Sequence, residues 1–166
     1  MFEIGDYVVN ATNGICQITE IVEMDLSGDK ILKPYYLLVP VEEASARVYI
    51  PVETAEKRIR KAINQRQAMQ VIDSVKQIDE TRINTEKERE LRYKEAIKSC
   101  DPEKLVSIIK TLYRRRQERM AQGKKSTAID ERYFKLAENH LYAELAFALG
   151  RQKDEMEDLI KERVGC

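Results

Sequence analysis

Apolar and polar positions along this chain follow two different rhythms. As far as Val52, the Val, Ile, Tyr and Leu residues fall in short runs, about 3–10, 15–25, 34–41 and 47–52, separated by Asn13-Gly14, Ser27-Gly28-Asp29 and the stretch 42–46. Short β-branched and aromatic runs between turn residues predict antiparallel strands. A helical turn at 54–57 and a fifth strand at 58–63 bring the count to five, enough to wrap one small core as a partly closed barrel. Tyr35, Tyr36, Leu37, Leu38 and Val39 form a continuous apolar run. That is expected of a strand inside the sheet rather than of an aromatic ligand site.

From Asn64 the apolar spacing changes to three and four. Asn64 followed by Gln67 is a capping-box start, and Ala68, Met69, Val71, Ile72 and Val75 mark a first helix. Residues 77–85 read as a polar connection and Thr85 as the next cap, before a helix marked by Leu91, Tyr93, Ala96 and Ile97. The best-bounded helix is 101–123: Asp101 caps the free amides, Pro102 suits the first turn, and Gly123 takes the left-handed conformation that ends a helix. Leu105, Ile108, Ile109 and Leu112 give it a core face, while Arg114, Arg115, Arg116 and Arg119 crowd its last turns. Thr127 and Asp130 form another capping box, for a helix that runs to Leu149 and stops at Gly150. Its core face carries Ile129, Tyr133, Leu136, Ala137, His140, Leu141, Leu145 and Ala148. A terminal helix at 152–163 has only Met156, Leu159 and Ile160 to pack. The fold class expected is α+β, with a small antiparallel barrel at 1–63 and a compact all-α domain at 64–166.

Charge sharpens that division. The formal net charge is zero, yet residues 1–53 hold 9 acids and 3 bases, a balance of −6, which leaves +6 for the remainder. Within that remainder, residues 57–125 carry 20 bases against 10 acids. A basic middle favours a polyanion partner, although a charge run alone is as readily a solvated helix face. With 43% hydrophobic residues the 166-residue chain has the means to build a core. No apolar run approaches the roughly 18 residues of a membrane span, and the opening MFEIGDYVV has no signal-like block, so a soluble cytoplasmic protein is expected. Cys16, Cys100 and Cys166 are widely spaced without a CxxC, so neither a disulfide nor a metal site is expected.

Catalytic chemistry is sparse. His140 is the sole histidine and falls on an apolar helix face, where a structural role is expected. There is no GxGxxG or GxxxxGK phosphate loop, and most carboxylates alternate with Lys or Arg. Neither an enzyme nor a cofactor is expected. The positive signal is two adjacent helices, each with an apolar face and a basic remainder suited to backbone phosphates. Tyr93 and Tyr113, inside those clusters, either pack in the core or act as aromatic contacts to nucleic acid. A helical bundle that simply holds its β neighbour in place is the plainer alternative.

The phrases IGDYVVNATNGICQITEI, YYLLVPV and VYIPVETAEKRIRKAI resemble the RNA polymerase interaction domain of the CarD/CdnL family, found also in transcription-repair coupling factors. Further along, RYKEAIKSCDPEKLVSIIKTLYRRRQER and DERYFKLAENHLYAELAFAL resemble that family's helical DNA-binding domain, so the resemblance covers about residues 2–150. It implies a Tudor-like barrel that docks on the β subunit of bacterial RNA polymerase, and a helical domain that contacts promoter DNA and stabilises the open complex. Carried across by position, the polymerase-facing edge includes Met24, Leu26 and Tyr49, with Val48 and Ile50 beside it. The implied DNA contacts are Arg92, Tyr93 and Lys94, with Arg114, Arg115 and Arg119 as further phosphate contacts. Relatives place a tryptophan wedge at about Arg89, and this chain has no Trp; an arginine there suits a narrow minor groove. The resemblance leads us to expect a bacterial, monomeric, nucleoid-associated regulator. A protein-only adaptor, bridging two proteins without DNA, is the competing reading.

Overall fold

The computed structural model describes residues 1–164; Cys166 lies outside them. The chain divides into two compact units, Met1–Ala62 and Ile63–Cys166.

The first unit is a five-stranded antiparallel sheet in the order β4-β3-β2-β1-β5, a Tudor-like arrangement. Its strands are β1 (Tyr7–Asn10), β2 (Gly14–Met24), β3 (Lys33–Pro40), β4 (Val48–Pro51) and β5 (Ile59–Lys61), with a 3-10 turn at Val52–Thr54 and a short helix α1 (Ala55–Arg58) before β5. The alternation of β3 and β4 sends Tyr36, Leu38 and Ile50 inward to meet Val8, Cys16, Ile18, Ala55 and Ile59, all nearly or fully removed from solvent. Each aliphatic side chain so buried contributes about 1.5–3 kcal/mol. The hairpin between β1 and β2 is set by Asn10, whose Oδ1 accepts the Thr12 N–H at 2.8 Å, and by Gly14 at φ 68°. Residues 3–6, expected as the start of the first strand, instead form a turn. Asp6 Oδ2 accepts the Glu3 N–H at 2.9 Å and Gly5 sits at φ 95°, a conformation closed to a strand.

The second unit is all helical: α2 (Gln65–Ser74), α3 (Glu86–Ser99), α4 (Pro102–Ala121), α5 (Ala128–Leu149) and α6 (Lys153–Val164). Asn64 and Gln67 form the expected capping box reciprocally, and Asp101 Oδ1 accepts the Glu103 N–H at 2.9 Å. Thr85 stands at the N-cap of α3 but makes no side-chain cap; Glu88 reaches back to the Asn84 N–H instead. Gly123 and Gly150, at φ 75° and 65°, close α4 and α5, with the carbonyls of Arg119 and Ala146 taken by the Lys124 and Arg151 amides.

α5 packs against each of α2, α3, α4 and α6. For that reason its buried surface is wider than one stripe. Phe134, Tyr142 and Ala146 join Tyr133, Ala137, Leu141 and Leu145 in the core, while Ile129, expected there, is 47% exposed. Leu91 of α3 is likewise exposed, whereas Tyr93 and Ala96 are buried. The polar connection after α2 is stitched to α4. Lys110 Nζ donates to the Val75 and Ile78 carbonyls at 2.7 and 2.6 Å, satisfying the open end of α2, and Thr81 N–H donates to Thr111 Oγ1 at 2.8 Å.

Candidate nucleic-acid interface

Helices α3, α4 and α5 meet around one carboxylate. Asp130 lies in the first turn of α5, where its N–H donates to Thr127 Oγ1 at 3.1 Å. The expected capping box would turn its side chain back to the cap. Instead that side chain is buried and faces the neighbouring helices: Tyr93 Oη donates to Oδ1 at 2.9 Å, and Arg115 Nε donates to Oδ2 at 2.6 Å. A carboxylate removed from water needs both donors and a counter-charge, and α3 and α4 supply them.

Tyr93 has no solvent-accessible surface. Burial pushes its pKa up to about 12, so the hydroxyl keeps its proton for Asp130 and accepts Arg89 Nη1 at 3.3 Å. Its ring stands 5.4 Å from that of Tyr133, centroid to centroid. Arg89 carries the network outward, donating from Nη2 and Nε to Glu86 Oε1 at 2.9 and 3.1 Å; Arg115 Nη1 reaches the same oxygen at 3.4 Å. Burial works against the Arg89 charge, but its hydrogen bonds to Glu86 and Tyr93 outweigh that and hold its pKa above the ordinary arginine value.

The rest of the arginine run is also engaged. Arg114 pairs with Glu80 at 3.0 Å and Glu118 at 3.2 Å, and Arg116 grips Glu131 at 2.9 and 3.0 Å while lying 4.3 Å over the Phe134 ring. Arg119 Nε donates to the Lys125 carbonyl at 2.8 Å. On α3, Arg92 pairs with Glu95 at 3.1 Å and Lys94 with Glu90 at 3.6 Å. The side chains of Arg89 and Arg115 are only 19% and 21% exposed, against 61% for Lys94 and 66% for Arg114. The seven residues therefore divide. Lys94 and Arg114 are the most exposed, each with an acidic neighbour, Arg92 and Arg119 are intermediate, Arg89 and Arg115 sit at the edge of the core, and Tyr93 lies within it.

Helical geometry splits the set further. Arg92 and Lys94 project about 200° apart around α3. Lys94 shares Glu90 with Tyr133 of α5, whereas Arg92 faces the 81–84 segment and the first half of α4. A straight duplex lying along one flank of α3 meets one of these cations and misses the other.

In the β unit, β4 forms one edge of the sheet. Tyr49 is 38% exposed on it, Leu26 is 56% exposed in the loop after β2, and Met24 and Val48 are half-buried. Ile50 is fully buried in the core opposite Tyr36, so its side chain cannot meet a partner at that edge. The loop between β2 and β3 is pre-shaped by Asp25, whose carboxylate accepts the Gly28 and Lys30 amides at 2.7 and 2.9 Å.

Asp130, Glu86 and Glu131 were not singled out by sequence reasoning as parts of this site. The i,i+3 spacing of Glu86 and Arg89 was a readable signal; the links from α4 to α5 were not, because they join residues on different helices. Among the described residues no group of three His, Cys, Asp or Glu side chains is placed to hold a metal, and no helix is long and apolar enough to cross a membrane.

Comparison with known families gives two matches in tandem. Residues 2–63 match the family described as CarD-like/TRCF RID domain, and residues 70–161 match the one described as CarD, C-terminal domain. No curated protein matches the chain.

Proposed function

This chain belongs to the CarD-like family, whose domains mark transcription factors that interact with RNA polymerase, and from that premise we propose that it bridges the polymerase and promoter DNA. The observation that carries the reading is the pairing, in one chain, of an interaction domain at 2–63 with the CarD C-terminal domain at 70–161. The acidic β unit, taken as residues 1–63, docks on the polymerase β subunit through Tyr49 and Leu26, with Met24 and Val48 beside them and the β4 backbone at the free edge. The helical unit, residues 64–166, lies against upstream promoter DNA and lengthens the life of the open complex, without chemistry of its own. Lys94, Arg114 and Arg119 supply phosphate contacts. Arg89 and Arg115 stand behind them, and Tyr93 acts indirectly by holding Arg89. Docking on the polymerase raises the effective concentration of a DNA contact that is weak alone.

The test uses the full chain with polymerase and a promoter fragment, reading open-complex lifetime and the salt dependence of DNA association. Lys94→Ala is expected to shorten the lifetime and to lower the slope of log affinity against log salt by about one. If the chain binds polymerase and the Lys94 variant leaves both readouts unchanged, this DNA face is wrong. A complete lack of DNA association in the presence of polymerase would favour the protein-only adaptor, a reading supported by the acidic partners already held by Arg114, Arg115 and Arg116.

A further inference from the structure

Between the segment 81–84, α3 and the first half of α4 lies an open cleft of about 430 Å³, with Arg82, Arg92 and Lys104 among its lining residues. We propose that this cleft binds a small phosphate monoester, separately from the DNA contact on the opposite flank of α3.

Charge is the first argument. Three cations line the cleft against one carboxylate, Glu95, which Arg92 Nη1 already occupies at 3.1 Å. Arg114, Arg115 and Arg116 on the same helical unit each hold an acidic partner, yet Arg82 and Lys104 have none among the described residues. A ligand with two negative charges balances the surplus these two cations leave. Such a ligand gains most where several donors converge.

The second argument is an unmet donor. Arg92 Nε is buried and has no hydrogen-bond partner among the described residues. A charged N–H withdrawn from water without an acceptor is rare in folded proteins, so the half-exposed guanidinium gains by turning Nε toward the cleft, where a phosphate oxygen would accept from it.

The third is rigidity. Ser107 Oγ donates to the Asp79 carbonyl at 2.6 Å and pairs with Thr81 Oγ1 at 2.8 Å, while the Thr81 amide is held by Thr111. These bonds fix one wall of the cleft to α4, so little order has to be created when a ligand enters. The volume is within the range of small-molecule sites. Its place argues for a free small ligand over a duplex, because the cleft opens about 200° around α3 from Lys94.

The test is a thermal-shift and calorimetric titration of the full chain with inorganic phosphate and with glycerol 3-phosphate, using sodium chloride at matched ionic strength as control. Both phosphates are expected to raise the melting temperature above the chloride control. Arg82→Ala and Lys104→Ala, each removing an exposed cation without an ion-pair partner, are expected to melt like the parent without phosphate and to lose most of the shift. An equal rise with chloride, or an undiminished rise in both variants, overturns the proposal. DNA association in the presence of polymerase is expected to be unchanged in both variants. Parallel loss of phosphate and DNA binding would make the cleft a backbone-phosphate site and overturn the small-ligand assignment. Absent phosphate binding with intact DNA association defeats this inference alone and leaves the DNA reading standing.

Discussion

Arg115 Nε lies 2.6 Å from Asp130 Oδ2, joining the most basic helix of the chain to the first turn of the longest one. The arginine run of α4 therefore has a structural duty before it has a binding one. Asp130 is 5% exposed and also holds Tyr93, which is fully buried, so one carboxylate satisfies donors from two helices.

Removing that carboxylate strands both donors. Asp130→Ala is expected to cost about 3 kcal/mol in urea unfolding, the scale for breaking a buried ion pair and orphaning its partners. Asp130→Asn, which keeps an acceptor but loses the charge, is expected to fall between the two. A loss under about 1 kcal/mol for the alanine variant would show that the network is better hydrated than its burial indicates.

The β unit offers a contrast between neighbours on one strand. Tyr49 is 38% exposed and Ile50 is fully buried. Tyr49→Glu is expected to weaken co-purification with the polymerase β subunit while leaving the melting temperature within a degree or two. Ile50→Ala is expected to cost about 2–5 kcal/mol by opening a cavity under the sheet. If Tyr49→Glu docks as well as the parent, the β4 edge is not the docking edge.

Local chemistry was the legible part of this fold. The caps at Asn64, Asp101 and Thr127 and the stops at Gly123 and Gly150 depend on residues a turn apart, and the structure has each in place. The five strands were likewise readable, because their alternation reports one buried face. What sequence spacing missed lies between elements. α5 touches four other helices, so a single stripe omitted Phe134 and Tyr142 and wrongly included Ile129. Charge density at 114–119 looked like open surface, because the acids that answer it sit at Glu80, Glu86, Asp130 and Glu131 on other segments.

His140 gives the helical unit a pH dependence. Burial lowers its pKa below 6.5, with Lys153 adding to the effect and Glu144 opposing it. The folded state thus keeps the imidazole neutral while the unfolded chain takes up a proton near pH 6.5. Its contribution to stability is fully present above that pH and is lost as pH falls through 6.5 toward the lower folded value. Unfolding midpoints measured at pH 7.5 and 5.5 are expected to separate less in His140→Gln than in the parent. Equal separations would mean that the imidazole is solvated enough to titrate normally.

Glu86 is the acid through which the network can be tuned. Its side chain is 72% exposed, yet it takes hydrogen bonds from both Arg89 and Arg115, and Arg89 is the first cause of its lowered pKa. If Arg89 faces the minor groove, it must exchange Glu86 for DNA, and the cost of that exchange limits affinity. Glu86→Gln keeps the shape and the acceptor but removes the charge that competes with phosphate. The expected result is tighter DNA association in the presence of polymerase, with a steeper salt dependence as the Arg89 guanidinium becomes available, Arg115 staying held by Asp130. The change in stability is expected to be small, since an ion pair this open to solvent contributes at most about 1 kcal/mol. Unchanged affinity and slope would place Arg89 away from the duplex and leave it, with Arg115, as an inner support of the bundle.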